Sequence, residues 1–126
     1  MADSMIAVAE GEWMFDLDTL IEAARLRWSR LVFVPATGRV ASVSLGQMQI
    51  PEPSSTAPEL LVEIDPTGRA LGLETPSDEL AAEFIAWITT LPGFPNDGSV
   101  VAVNWSDDIV PLTPSMTADR LRAIRA

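Results

Sequence analysis

Leu60-Leu-Val-Glu-Ile64, Asp65-Pro-Thr-Gly68 and Arg69-Ala-Leu-Gly-Leu-Glu74 carry the clearest structural signal in the chain. Leu60, Val62 and Ile64 alternate with Glu63 and Asp65, the period of a strand with one buried and one solvated face. Asp at the first turn position, Pro at the second and Gly at the fourth fit a type I turn, with Gly68 free to adopt positive φ. The stretch therefore predicts an antiparallel hairpin whose apolar face needs a cover.

The cover is announced on both sides. Downstream, Thr75-Pro76-Ser77-Asp78-Glu79 reads as a helix start, with Thr75 as N-cap, Pro76 in the first turn and acids at the positive end of the dipole. Leu80, Ala81, Phe84, Trp87, Ile88 and Leu91 form the apolar stripe, Glu79, Glu83 and Ala86 the outer face, and Pro92-Gly93 ends the helix. Upstream, Leu17, Leu20, Ile21, Ala24 and Trp28 repeat at helical spacing. Asp16 suits the cap of that helix, Asp18 its first turn, and Arg25, Arg27 and Arg30 its end.

Two further hairpins complete the pattern. Leu31–Val34 and Arg39–Leu45 flank Pro35-Ala-Thr-Gly38, and the apolar phase shifts by one residue at Gly46 to Met48 and Ile50, which predicts a β-bulge. Thr-Gly-Arg at 37–39 recurs at 67–69, which shared turn chemistry explains. Val100–Trp105 and Ile109–Leu112 flank Ser106-Asp-Asp108. Val101, Val103 and Trp105 alternate with Val100 and Ala102, and Pro111 assigns its own strand to a sheet edge. Thr113-Pro114-Ser115 introduces a short helix over 117–124. Residues 51–58 read as an exposed Pro/Ser loop, and residues 1–12 as a flexible leader or an extra edge strand over Ser4–Ala9. The expectation is one α+β domain over 1–126: an antiparallel sheet of about six strands (three hairpins), with two main helices and a short C-terminal helix on one face.

Composition narrows the chemistry. The 126 residues carry 18 carboxylates against 8 basic residues, all arginine, for a net charge of −10, with no Cys, His or Tyr. Lys is also absent. Triads, Schiff bases, imidazole or thiolate metal sites, disulfides and the Gly-x-x-x-x-Gly-Lys phosphate loop are therefore excluded. What survives is an Asp/Glu pair or a hard cation on carboxylates, so a carboxylate-based metal-dependent enzyme or small-ligand domain is the alternative to a binding protein. Phosphate backbones and anionic membranes repel such a chain, which argues against nucleic acid or membrane partners, and no apolar run approaches a membrane span. The Met5–Ala9 stretch is too short for a signal core and lacks a basic flank, so the expected compartment is the cytoplasm.

The acids point to candidate sites. Glu52, Glu59, Glu63, Asp65, Glu74, Asp78, Glu79 and Glu83 face Arg69 alone along the middle of the chain. That density suits either a solvated face or a docking patch for a basic protein. Asp107 and Asp108 beside Trp105 form a second acidic pair, for which hairpin turn chemistry is the plain account and further cation ligands are lacking. Helix capping explains Asp16 and Asp18. Among the tryptophans, Trp28 and Trp87 fall on helix stripes, which leaves Trp13 and Trp105 as interface candidates. In size, acidity and α+β format the chain resembles bacterial inhibitor and immunity proteins that neutralise basic toxins. The resemblance covers no motif and assigns no residue. The reading is a non-enzymatic module for a basic partner, using Glu59, Glu63, Asp65, Glu74, Glu79, Glu83, Trp105, Asp107 and Asp108 and no cofactor or metal, with a self-associating homodimer as the remaining alternative.

Overall fold

A computed structural model of the chain describes residues 4–51 and 58–125. In chain order its elements are β1 (Ser4–Val8), α1 (Leu17–Arg27), β2 (Val32–Pro35), a 3₁₀ turn (Gly38–Ser42), β3 (Gly46–Pro51), β4 (Pro58–Ile64), β5 (Ala70–Glu74), α2 (Asp78–Ile88), β6 (Val100–Val103), β7 (Val110–Pro111) and α3 (Ala118–Arg125). The strands form one antiparallel sheet in the order β2-β3-β4-β5-β1-β6-β7. The fold is α+β, with seven strands where about six were expected.

The central hairpin forms as its sequence dictates. Leu60, Val62, Ile64, Leu71 and Leu73 are fully buried on one face. At the turn, Gly68 N–H donates to Asp65 O at 3.0 Å, and the Asp65 carboxylate accepts from Thr67 N–H at 2.8 Å. Gly68 sits at φ 74, and its carbonyl accepts from Phe15 N–H at 2.8 Å. A Cβ there would lie 2.7 Å from Phe15 O. Gly68→Ala is therefore expected to exceed the roughly 1–2 kcal/mol of a left-handed alanine, because the turn must also back away from the segment leading into α1. A urea midpoint that does not move would show that this docking contributes nothing.

The extra strand is β1. It is interior rather than at an edge, hydrogen-bonded between β5 and β6, with Val8 N–H donating to Arg69 O at 2.8 Å and Ala9 N–H to Ser99 O at 2.7 Å. Ser4, Ile6 and Val8 are buried and Met5 is exposed, so its short alternation suits an interior strand with one covered face. Its pairing partners lie some 65 and 95 residues away in sequence, and local pattern carries no information about them.

Other boundaries shift for local reasons. Arg39–Leu45 is not a strand: Val43 and Ser44 N–H both donate to Val40 O, closing the 3₁₀ turn, and pairing resumes only near Gly46. The phase change at Gly46 marks the start of β3 instead of a bulge; the irregularity in the β3–β4 ladder lies at Ile50/Pro51. A Cβ on Gly46 would stand 2.5 Å from Val34 O, so the strands close tightly there. Pro51 ends β3 and Pro58 begins β4, and the rest of the expected Pro/Ser loop lies outside the described residues. Helix α1 has Asp16 as its cap, accepting from Thr19 N–H. Helix α2 is capped by Ser77, not Thr75: Ser77 Oγ accepts from Leu80 N–H at 3.1 Å, while Thr75 Oγ1 accepts from Ser77 N–H at 3.0 Å.

All three helices share one core with the buried face of the sheet, through Leu20 and Ala24 of α1, Phe84, Ile85 and Ile88 of α2, and Leu121 of α3. Among the described residues, no helix covers the other sheet face, where Met5 and Glu63 are exposed. Both outer strands carry proline at harmless positions. Leu112 N–H bonds Val100 O and Ala36 N–H bonds Leu45 O. Antiparallel alternation then turns the nitrogens of Pro111 and Pro35 outward, where no ladder bond is lost and one edge donor is removed.

Candidate functional site

Strand alternation decides which side chains reach the open face. Met5 and Ala7 of β1, Gln47 and Gln49 of β3, Glu59, Leu61 and Glu63 of β4, and Ala70, Gly72 and Glu74 of β5 all have the parity opposite to the buried core. The register places Glu63 opposite both Gly72 and Gln47, Leu61 opposite Glu74, and Met5 opposite Gly72. An open groove of about 250 Å³ lies on this part of the face, lined by Met5, Val43, Leu61, Ala70, Gly72 and the acids Glu63 and Glu74. Met5 is 40% and Val43 70% exposed, so the apolar part faces solvent.

Among the described residues the groove lining holds three carboxylates, Glu63, Asp65 and Glu74, and no arginine. Six of the eight arginines, Arg25, Arg27, Arg30, Arg120, Arg122 and Arg125, lie in or just after α1 and in α3. Glu63 and Glu74 are diagonal neighbours across adjacent strands, a spacing at which like charges repel.

The crowded middle of the sequence is therefore divided in space. Glu59, Glu63 and Glu74 belong to the open face, with Asp65 at its turn. Asp78 and Glu79 start α2 and pair with α3, Asp78 with Arg125 and Glu79 with Arg122, each at 3.3 Å. Arg122 also pairs with Asp119. Glu83 is exposed on α2, and Glu52 lies outside the described residues. The register of the β4–β5 hairpin was the signal that separates the open-face acids from those of α2.

Trp105 is not a surface residue. Continued alternation would place it beside Val101 and Val103, but Asn104 adopts φ 61 and turns the chain over at the strand end. Asparagine tolerates that conformation. The indole is 1% exposed, its Nε1–H donates to Leu121 O at 2.8 Å, and the Arg125 guanidinium lies 4.5 Å from the ring centre. Asp107 and Asp108 remain exposed in the turn, where Ser106 Oγ–H donates to Asp108 O. Trp13 packs edge-on against Phe15 and Phe94, and Trp28 packs edge-on against Trp87 and stacks on Phe84.

No family model, curated protein or solved structure matches this chain. Among the described residues no three acids come together in a way that could hold a metal ion, and no helix is long and apolar enough to cross a membrane. Asp97 does not line the groove. Its carboxylate accepts from Ser99 N–H at 2.9 Å, a contact of local turn chemistry.

Proposed function

We propose that this chain is a non-enzymatic binding module that docks a basic protein on the open face of its sheet, in the manner of an inhibitor or immunity-type protein. One observation carries the reading: a solvent-exposed, partly apolar groove on the open sheet face that, among the described residues, is lined by Glu63, Asp65 and Glu74 and by no arginine. Apolar floor supplies burial, and the carboxylates supply orientation and fast encounter with a positive surface. Self-association is the poorer fit. Pairing two copies through this face would set carboxylates against carboxylates, and Pro35 and Pro111 blunt the edges.

The test is capture from native lysate by the immobilised chain at low and at high salt. A basic protein retained at low ionic strength and released as the salt rises is expected, because exposed charge pairs are screened over a Debye length of about 10 Å at 0.1 M and 3 Å at 1 M. Retention that ignores salt, or a captured protein that is acidic, defeats the electrostatic reading.

A further inference from the structure

The link between β7 and α3 is strained at one residue. Thr113, Pro114 and Ser115 are exposed, and Ser115 adopts φ 61. A turn with proline at its first central position and positive φ at its second ordinarily carries glycine there. Serine brings a Cβ that crowds the following carbonyl oxygen. The ring fixes φ at Pro114 and disfavours helical backbone at Thr113, so Thr113-Pro114 is a stiff arm and Ser115 its strained joint.

That joint sets the path of everything beyond it. Ser115 N–H donates to Thr89 O and Met116 N–H to Thr89 Oγ1, each at 3.0 Å, at the end of α2. Arg122 and Arg125 pair with Glu79 and Asp78 at the start of α2. Helix α3 therefore runs back along α2, with Leu121 fully buried and its carbonyl bonded by the Trp105 indole.

We propose that α3 is exchanged between two copies of this chain about Ser115. At an ordinary extended φ, Ser115 carries α3 out of its seat as a unit, and the α3 of a second copy has the same complement to that seat. Contacts from Met116 onward are remade across the pair. Each joint loses the Ser115 N–H bond and sheds its strain, the condition under which short hinges exchange. Exchange uses neither the open face nor the proline-bearing edges, so it stands apart from the docking reading and leaves two open faces free in the dimer.

The test is refolding of the native chain from urea at millimolar concentration, followed by size separation and light scattering. A dimer that reverts slowly on dilution is expected. Ser115→Gly removes the strain and should lower the dimer association constant about tenfold or more, since two joints contribute. Ser115→Val, whose branched side chain tolerates positive φ poorly, should raise it by a similar factor. The Ser115 side chain is exposed, so neither change touches the core, and if the valine variant fails to refold, the native chain against Ser115→Gly makes the same comparison. The chain has no cysteine, so thiols can be placed cleanly. In an equal mixture of Glu79→Cys and Arg122→Cys chains refolded together, a short bis-maleimide should join the two kinds across the dimer. A chain that stays monomeric throughout, a dimer constant that ignores position 115, or a dimer without that cross-link would overturn the exchange.

Discussion

Trp105→Ala is expected to destabilise the protein by about 3–5 kcal/mol, the range for truncating a buried tryptophan, and to loosen α3 from the body. The indole is the largest fully buried side chain and holds α3 in two ways, by its Nε1–H bond to Leu121 O and by its face under Arg125. Leu121 is the buried residue of that helix. Trp105→Phe separates the contributions. It keeps most of the apolar burial and leaves the Leu121 carbonyl without its donor, a loss of roughly 1–3 kcal/mol. Chemical unfolding measures both variants, and amide exchange within Ala118–Arg125 reports the helix. A loss below about 1 kcal/mol for the alanine variant, far under the usual range, with α3 protection intact, would show that the ring is not the anchor. The exposed pairs Asp78–Arg125 and Glu79–Arg122 do not replace it, since surface ion pairs are worth about 0–1 kcal/mol each.

What the sequence disclosed, and what it hid, follows from the range of the interactions. The Leu60–Glu74 hairpin, the Asp16 cap and the edge position of Pro111 are consequences of neighbours a few residues apart, and they were legible. The interior place of β1 depends on pairing with β5 and β6, distant in the chain, and five residues cannot announce it. Trp105 was misread as surface because alternation was extended across Asn104, whose positive φ reverses the facing of everything after it. Thr75 lost the cap to Ser77 by two residues, a shift that side-chain geometry decides and composition does not. The acids were counted along the chain, which mixed Glu63 and Glu74 of the sheet with Asp78 and Glu79, already partnered by α3. Parity within the hairpin held part of the answer: Glu63 and Leu61 share a side, and the turn length sets Leu61 against Glu74. Met5 completes the groove from β1, so its shape could not be read before the sheet order was known.

Glu63→Lys is expected to separate stability from binding. Glu63 and Glu74 repel across the β4–β5 diagonal, so a lysine at position 63 turns one repulsive pair into an attractive one, a gain of about 0.2–1 kcal/mol on the scale of cross-strand pairs. For a chain of this size that raises the melting temperature by a few degrees, about 1–6 °C. Glu63 is exposed, so the exchange disturbs no core packing. Against a basic partner the same exchange sets cation against cation, which costs several kcal/mol, and association at low salt should fall about a hundredfold or more. Thermal unfolding and a binding titration on the same preparation decide the matter. Undiminished binding would remove Glu63 from the docking surface, and a fall in both quantities would mean that the substitution merely damages the sheet. A more stable protein that no longer binds would mean that Glu63 serves the docking surface at a cost to the sheet that carries it.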